Sequence, residues 1–152
     1  MLGNLKETLS RWIASSGFSS DSSQPEEEKL GARGEKAAAR FLKGLGYRIL
    51  AHGHRQKLGE IDLIALDGDC IVFVEVKTWR SDAQADPSEA VDRRKQERIT
   101  RAALIYLKKK KLLDQPARFD VISIVWPPDS PEPTIRHFTN AFEAVGSGQM
   151  YR

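Results

Sequence analysis

Glu60-Ile61-Asp62-Leu63-Ile64-Ala65-Leu66 and Ile71-Val72-Phe73-Val74-Glu75-Val76-Lys77, separated by Asp67-Gly68-Asp69-Cys70, decide how this chain folds. Both runs are rich in aliphatic and β-branched residues, and an Asp-Gly pair between two such runs is a strong hairpin signal. Side chains alternate faces along a strand. In the second run Val72, Val74 and Val76 point one way, and Ile71, Phe73, Glu75 and Lys77 the other. In the first, Ile61, Leu63 and Ala65 point one way, and Glu60, Asp62, Ile64 and Leu66 the other.

The register across the turn decides whether the charges meet. A two-residue loop at Asp67-Gly68 places Glu60 opposite Glu75, and a four-residue loop from Asp67 to Cys70 places Asp62 opposite Glu75. Both even loops put Asp62, Glu75 and Lys77 on one face, with cross-strand neighbours within roughly 5–8 Å. A three-residue loop sends Asp62 and Glu75 to opposite faces. Charges in so apolar a pair of strands must be paired, metal-bound or set at a cleft, because burying them alone is costly. Two clustered carboxylates repel each other, and a hard cation with oxygen ligands relieves the repulsion. Mg²⁺ takes one or two carboxylates and leaves positions for phosphate oxygens, which suits metal-assisted hydrolysis. Lys77 is placed to hold a water or a phosphate oxygen. The competing reading is an edge strand whose Glu75 and Lys77 simply face solvent.

Outward from the hairpin, residues 27–45 read as a helix with Leu30, Gly34, Ala37, Phe41 and Leu45 on one stripe. Residues 47–50 are a short strand candidate. Asp86-Pro87-Ser88-Glu89 carries helix-start signals, with Asp86 as N-cap. Val91, Lys95, Ile99, Ala102, Ala103 and Tyr106 mark the inner stripe of the helix that follows. Residues 119–126 and 134–138 are further strand candidates. The sequence therefore predicts an α/β layer arrangement, helix, three strands, helix, then one or two strands. Three segments are expected: an extension over 1–28 (a short amphipathic helix at 2–13 and a Ser-rich linker), a folded domain over 29–142, and a tail over 143–152.

These residues resemble a known family. Glu75-Val76-Lys77 in a strand, with Asp62 in the preceding one, is similar to the PD-(D/E)xK signature of restriction-endonuclease-like nucleases. Gly59-Glu60-Ile61-Asp62-Leu63-Ile64-Ala65 and Val72-Phe73-Val74-Glu75-Val76-Lys77-Thr78 resemble the small bacterial YraN family, itself similar to archaeal-type Holliday-junction resolvases. Ile61 stands where the signature has proline. The resemblance spans about residues 29–142. It implies a three-layer α/β fold, a central mixed sheet flanked by helices in α-β-β-β-α-β order. It also implies Asp62 and Glu75 as ligands of Mg²⁺ or Mn²⁺, Lys77 as the catalytic lysine, and Glu35, after Gly34 in the first helix, as an additional catalytic acid. A homodimer is implied by the resolvases, which cut two strands symmetrically. Read without the resemblance, Glu35 is a solvated helix residue.

The second helix suggests the partner. Between Asp92 and Lys111 stand nine basic residues against two acidic ones, Asp92 and Glu97. Arg93, Arg94, Lys95, Gln96, Arg98 and Arg101 are the expected nucleic-acid contacts, and such a patch gives salt-sensitive, sequence-independent phosphate binding. The bland alternative is a solvated helix face. Trp79-Arg80 is placed to stack on a base or sugar, or to cap the core. His52-Gly53-His54 lacks a clear third metal ligand. Asp120 is expected to orient an arginine or support the site.

Composition bounds the rest. At 152 residues the chain suits one domain. With 40% hydrophobic and 30% charged residues it belongs among globular proteins, not disordered ones. The single cysteine, Cys70, excludes an internal disulfide framework and a cysteine metal cluster, and favours a reducing compartment. No apolar run approaches the ~18 residues of a membrane span. Lys6, Glu7 and Arg11 interrupt residues 1–13, so no signal peptide is expected and a cytoplasmic location is. No phosphate-binding glycine loop supports a nucleotide cofactor. The expected function is metal-dependent hydrolysis of phosphodiesters in DNA, in preference to RNA, with branched DNA as a candidate substrate. The alternative is a non-catalytic nucleic-acid-binding module of the same fold, and a third reading is a protein scaffold docked through residues 2–13.

Overall fold

The computed structural model describes residues 25–53, 58–81 and 91–146. Helix α1 (Glu26–Gly44) carries three glutamates in its first turn and Lys43 in its last, each matched to the local sign of the helix dipole. The chain continues into strand β1 (Arg48–His52), then β2 (Leu63–Asp67) and β3 (Cys70–Trp79). Helix α2 (Arg93–Lys110) leads to β4 (Ala117–Val125) and β5 (Thr134–Phe142). The five strands form one sheet in chain order. All neighbours are antiparallel except β3 and β4. Parallel neighbours need a crossover, and α2 supplies it.

Two cores result. Ala38, Ala39 and Leu42 of α1 pack on Leu63, Ala65, Val72, Val74, Ile122 and Ile124. On the opposite face Ile99, Ala103, Tyr106 and Leu107 of α2 pack on Ile64, Ile71, Phe73, Phe119 and Val121. The alternation of β3 divides its side chains between the two cores. The result is a three-layer α/β structure of the restriction-endonuclease-like kind, a mixed sheet between two helices.

The hairpin adopts the register expected of the longer even loop, with Leu66 opposite Ile71 and Leu63 opposite Val74. Asp67 and Cys70 also pair, so only Gly68-Asp69 turn the chain, with Gly68 at φ +61°. That positive φ suits the mirror-image turns of two-residue hairpins.

Three expectations need correction. The first hairpin strand begins at Leu63, not at Glu60, because Asp62 leaves the ladder for a side-chain contact described below. The inner stripe of α1 keeps Gly34, Ala37 and Phe41 as expected but is centred on Ala38, Ala39 and Leu42, and Leu45, at 54% exposed, is not on it. Small residues face the sheet and allow the backbone to approach it. The cap of α2 is Asp92, whose Oδ1 accepts the Lys95 N–H at 2.8 Å, and not Asp86. Residues 82–90 lie outside the described residues, as do the expected helix at 2–13 and its linker. Helix α1 starts at Glu26, so residues 26–28 form its first turn. Of the expected tail, Ala144 packs beside the α2 core, and the Val145 N–H donates to Thr100 Oγ1 at 3.1 Å. No helix among the described residues is long and apolar enough to cross a membrane.

Candidate functional site

Asp62 sits where β2 would have continued. In the hairpin register Val76 stands opposite Ile61, yet the Val76 N–H donates to Asp62 Oδ2 at 2.8 Å. A side-chain oxygen thus replaces the backbone acceptor of a longer strand. The backbone of Asp62 is pinned from the β1 side, where Gly53 N–H donates to its carbonyl at 2.8 Å. Gly53 lies so close that a Cβ there would overlap the Ile61 carbonyl. Neither contact is readable from strand periodicity, which sees only alternation.

Glu75 lies on the α2 face of β3 and is 4% exposed. Its Oε1 meets Lys95 Nζ of the first turn of α2 at 2.6 Å, and its Oε2 is buried without a hydrogen-bond partner. Burial, then the Asp62 charge, push the Glu75 carboxyl up, against the pull of Lys95. Burial works against the Lys95 ammonium, but Glu75, then Asp62 and Glu60, outweigh it and raise its pKa.

Glu35 arrives from the opposite layer. It follows Gly34, where α1 passes so close to β3 that a Cβ would overlap the Thr78 hydroxyl. This approach brings the Glu35 carboxyl into hydrogen-bond contact with Asp62. Burial, then the Asp62 charge and hydrogen bond, raise it to about 8. Asp62 therefore lies between two carboxyls, one from each side of the sheet. Lys77 enters the same cleft, with Nζ 5.1 Å from the centre of the Trp79 ring.

The cleft has a volume of about 620 Å³ and is walled by Glu35, Asp62, Glu75, Lys77, Trp79, Arg80 and Lys95, with Glu27, Leu30 and Gly31 at the α1 end. Its chemistry is crowded oxygen acceptors opposed by two ammonium groups. Hard cations favour such oxygen donors, and the orphaned Glu75 Oε2 is a free acceptor for one. Among the described residues, however, no group of three or more His, Cys, Asp and Glu is arranged to hold a metal ion.

Residues 34–124 match the uncharacterised protein family UPF0102. The chain is 50% identical over 129 residues to a UPF0102 protein of Rhodopirellula baltica, covering 83% of this chain and 77% of that one. A UPF0102 protein of Geotalea uraniireducens is 48% identical over 118 residues, 78% of this chain and 92% of the relative. One of Geobacter sulfurreducens is 50% identical over 115 residues, 75% and 88% of the two chains. The chain belongs to UPF0102. The stretch that matches this family takes in every cleft residue except Glu27, Leu30 and Gly31.

In this UPF0102 chain the basic helix is divided. Lys95 turns in to Glu75. Arg93 lies 3.9 Å from Glu97, and Arg98 lies 3.7 Å from Glu60. Arg94 and Arg101 are exposed. Gln96 does not enter the cleft wall; its Nε2 donates to Val91 O at 3.0 Å, closing the start of the helix. Asp120 is fully buried and orients Arg118, whose Nε lies 3.0 Å from Oδ1. His137 Nε2 and the Asn140 N–H complete its shell at 2.8 and 2.9 Å. Arg118 reaches on to Asp67 and the Tyr47 hydroxyl, so this network ties the turn end of the hairpin to the α1–β1 connection and, through His137, to β5, and stands apart from the cleft. His52 is half-buried at the end of β1, and His54 lies outside the described residues. Residue periodicity put Gly34 on the inner stripe but missed its close approach to Thr78, and it missed Gly53 and the pairing of Lys95 with Glu75; the only sequence signal for Lys95 was its place on the inner stripe.

Proposed function

We propose that the cleft hydrolyses phosphodiester bonds of nucleic acid, DNA in preference to RNA, with a divalent cation. One observation carries this reading. Glu75 presents a buried, unpartnered carboxylate oxygen beside Asp62, between two lysines. Asp62 and Glu75 would hold Mg²⁺ or Mn²⁺. A divalent cation there supplies charge to a phosphate oxygen and makes a nearby water more acidic. Lys77 orients a phosphate oxygen or the attacking water at the cleft mouth. Glu35 holds a proton at its carboxyl near neutral pH in the metal-free cleft and shares a hydrogen bond with Asp62, which would orient that ligand. Arg94 and Arg101 draw in the phosphate backbone without reading sequence. By resemblance to junction resolvases, branched DNA is the favoured substrate, and a homodimer would present two clefts to its two strands. A cytoplasmic setting suits the lone thiol of Cys70.

The test is cleavage of labelled linear, flap and four-way DNA, and of matching RNA, in Mg²⁺ or Mn²⁺. The native chain should cut, and Asp62→Ala and Lys77→Ala should each lose about 100-fold or more. Equal activity in Asp62→Ala would defeat the assignment.

A second reading, a binding module without turnover, draws on a specific contact. Lys95 already neutralises Glu75 at 2.6 Å, and no three metal-type ligands are grouped among the described residues. Retained binding with no metal-dependent product on any substrate would favour it.

A further inference from the structure

Two lysines flank the carboxylates, and the one that touches them is not the one in the Glu-Val-Lys run. Lys77 follows Glu75 by two residues but lies over the Trp79 ring. Lys95, from a helix 20 residues further along, lies 2.6 Å from Glu75 Oε1. Lys95 is 30% exposed at the first turn of α2, whereas Glu75 is 4% exposed on the rigid sheet. The lysine stem is flexible and its ammonium is readily hydrated. Rotation of that stem alone can carry the charge out of the cleft, and no backbone movement is needed.

The pair is also incomplete. The ammonium satisfies one oxygen of Glu75 and leaves Oε2 buried and bare. It also feels the charges of Asp62 and Glu60, so a single positive charge serves several carboxylates. A divalent cation with several oxygen ligands would meet that demand better than one ammonium.

We infer that Lys95 is a tethered counter-ion that occupies Glu75 while the cleft is without a divalent cation and is displaced when one binds. This rests on the metal reading above. Lys95 is a positioning residue: it holds the Glu75 side chain through Oε1 and competes with the ion it holds the place for. Metal affinity is then set by the helix as well as by the strands.

The test uses the full chain without nucleic acid. Mn²⁺ binding is followed by electron paramagnetic resonance in the native protein and in Lys95→Met. Loss of the competing ammonium should tighten Mn²⁺ binding about tenfold or more. In the native protein an amine-reactive reagent, read by mass spectrometry, should label Lys95 slowly without Mg²⁺ and several-fold faster with it. In Glu75→Gln the labelling should be fast and independent of Mg²⁺. Equal or weaker Mn²⁺ binding by Lys95→Met, or native labelling indifferent to Mg²⁺ at saturating concentration, overturns the displacement and leaves the metal reading intact. Absence of Mn²⁺ binding in both proteins overturns the two together. The labelling arm needs only the native fold, so it decides even where Lys95→Met is unstable.

Discussion

Glu35 and Asp62 share a hydrogen bond, and two carboxyl groups can do so only while one of them keeps a proton. Burial first, and then Asp62, hold that proton on Glu35 up to about pH 8. A carboxyl raised in the folded state binds more protons folded than unfolded between its ordinary range and the raised value. Its contribution to stability is therefore complete below about pH 4.5 and is lost as pH rises through about 8. In metal-free buffer the melting temperature should fall across that window, and Glu35→Gln should flatten part of the fall. Glu35 keeps part of its surface in water, so after discounting for screening the gain at pH 8.5 is about 1–2 kcal/mol. Melts of the two proteins from pH 4.5 to 9 check this, and parallel curves would refute it. In the sequence Glu35 stands beside an apolar stripe and reads as a surface residue. Its burial follows from Gly34, whose missing Cβ lets the helix close on Thr78, and no local pattern reveals that distance.

At the scale of elements, the β2–β3 hairpin was legible and its end was not. Alternation and the Asp-Gly pair predict the strands and a common face for Asp62 and Glu75. Where β2 stops depends on Asp62 capturing the Val76 N–H, a competition between side chain and backbone that strand periodicity does not encode. Helix α2 was legible as a basic element, but its charges do different work. Lys95 is inward, Arg98 stands near Glu60, and Arg94 and Arg101 remain outward. Reversal of the two outward residues, Arg94→Glu with Arg101→Glu, should weaken nucleic-acid binding. It should also reduce the slope of log affinity against log salt by about two, since each phosphate contact contributes roughly 0.9 on duplex DNA. Fluorescence anisotropy over a salt series measures this. An unchanged slope would place the nucleic acid on another surface.

For the molecule as a whole, the cleft lies where the two layers meet at one end of the sheet, and a second polar cluster braces the other end. Asp120 is buried and is held there by Arg118, His137 and the Asn140 N–H. Burial alone would raise its carboxyl, but hydrogen bonds from His137, Arg118 and Asn140 outweigh that and hold it below its ordinary range. The sign is opposite to that of Glu35. Its stabilisation is present above the ordinary carboxylate range and is lost as pH falls through the lower folded value. Asp120→Ala removes the acceptor of Arg118, His137 and the Asn140 N–H while Arg118 keeps Asp67, and should cost about 1.5–3 kcal/mol in urea unfolding at pH 7. It should also remove part of the acid-induced loss expected of the native chain. A cost under about 1 kcal/mol would mean the cluster carries little of the fold.

The sequence by itself determined the α/β order and a hairpin turning at Asp67-Gly68, and it left the register open between even and odd loops. These follow from local rules, a period of two in strands, turn chemistry and helix amphipathicity. Only the tertiary structure decided the hairpin register, that Glu35 meets Asp62, and that Lys95 and not Lys77 pairs with Glu75. The last two depend on how closely two helices approach opposite faces of one sheet. That approach is set by missing Cβ atoms and by side chains that meet from positions 20 and 27 residues apart in the chain, separations to which local patterns are blind.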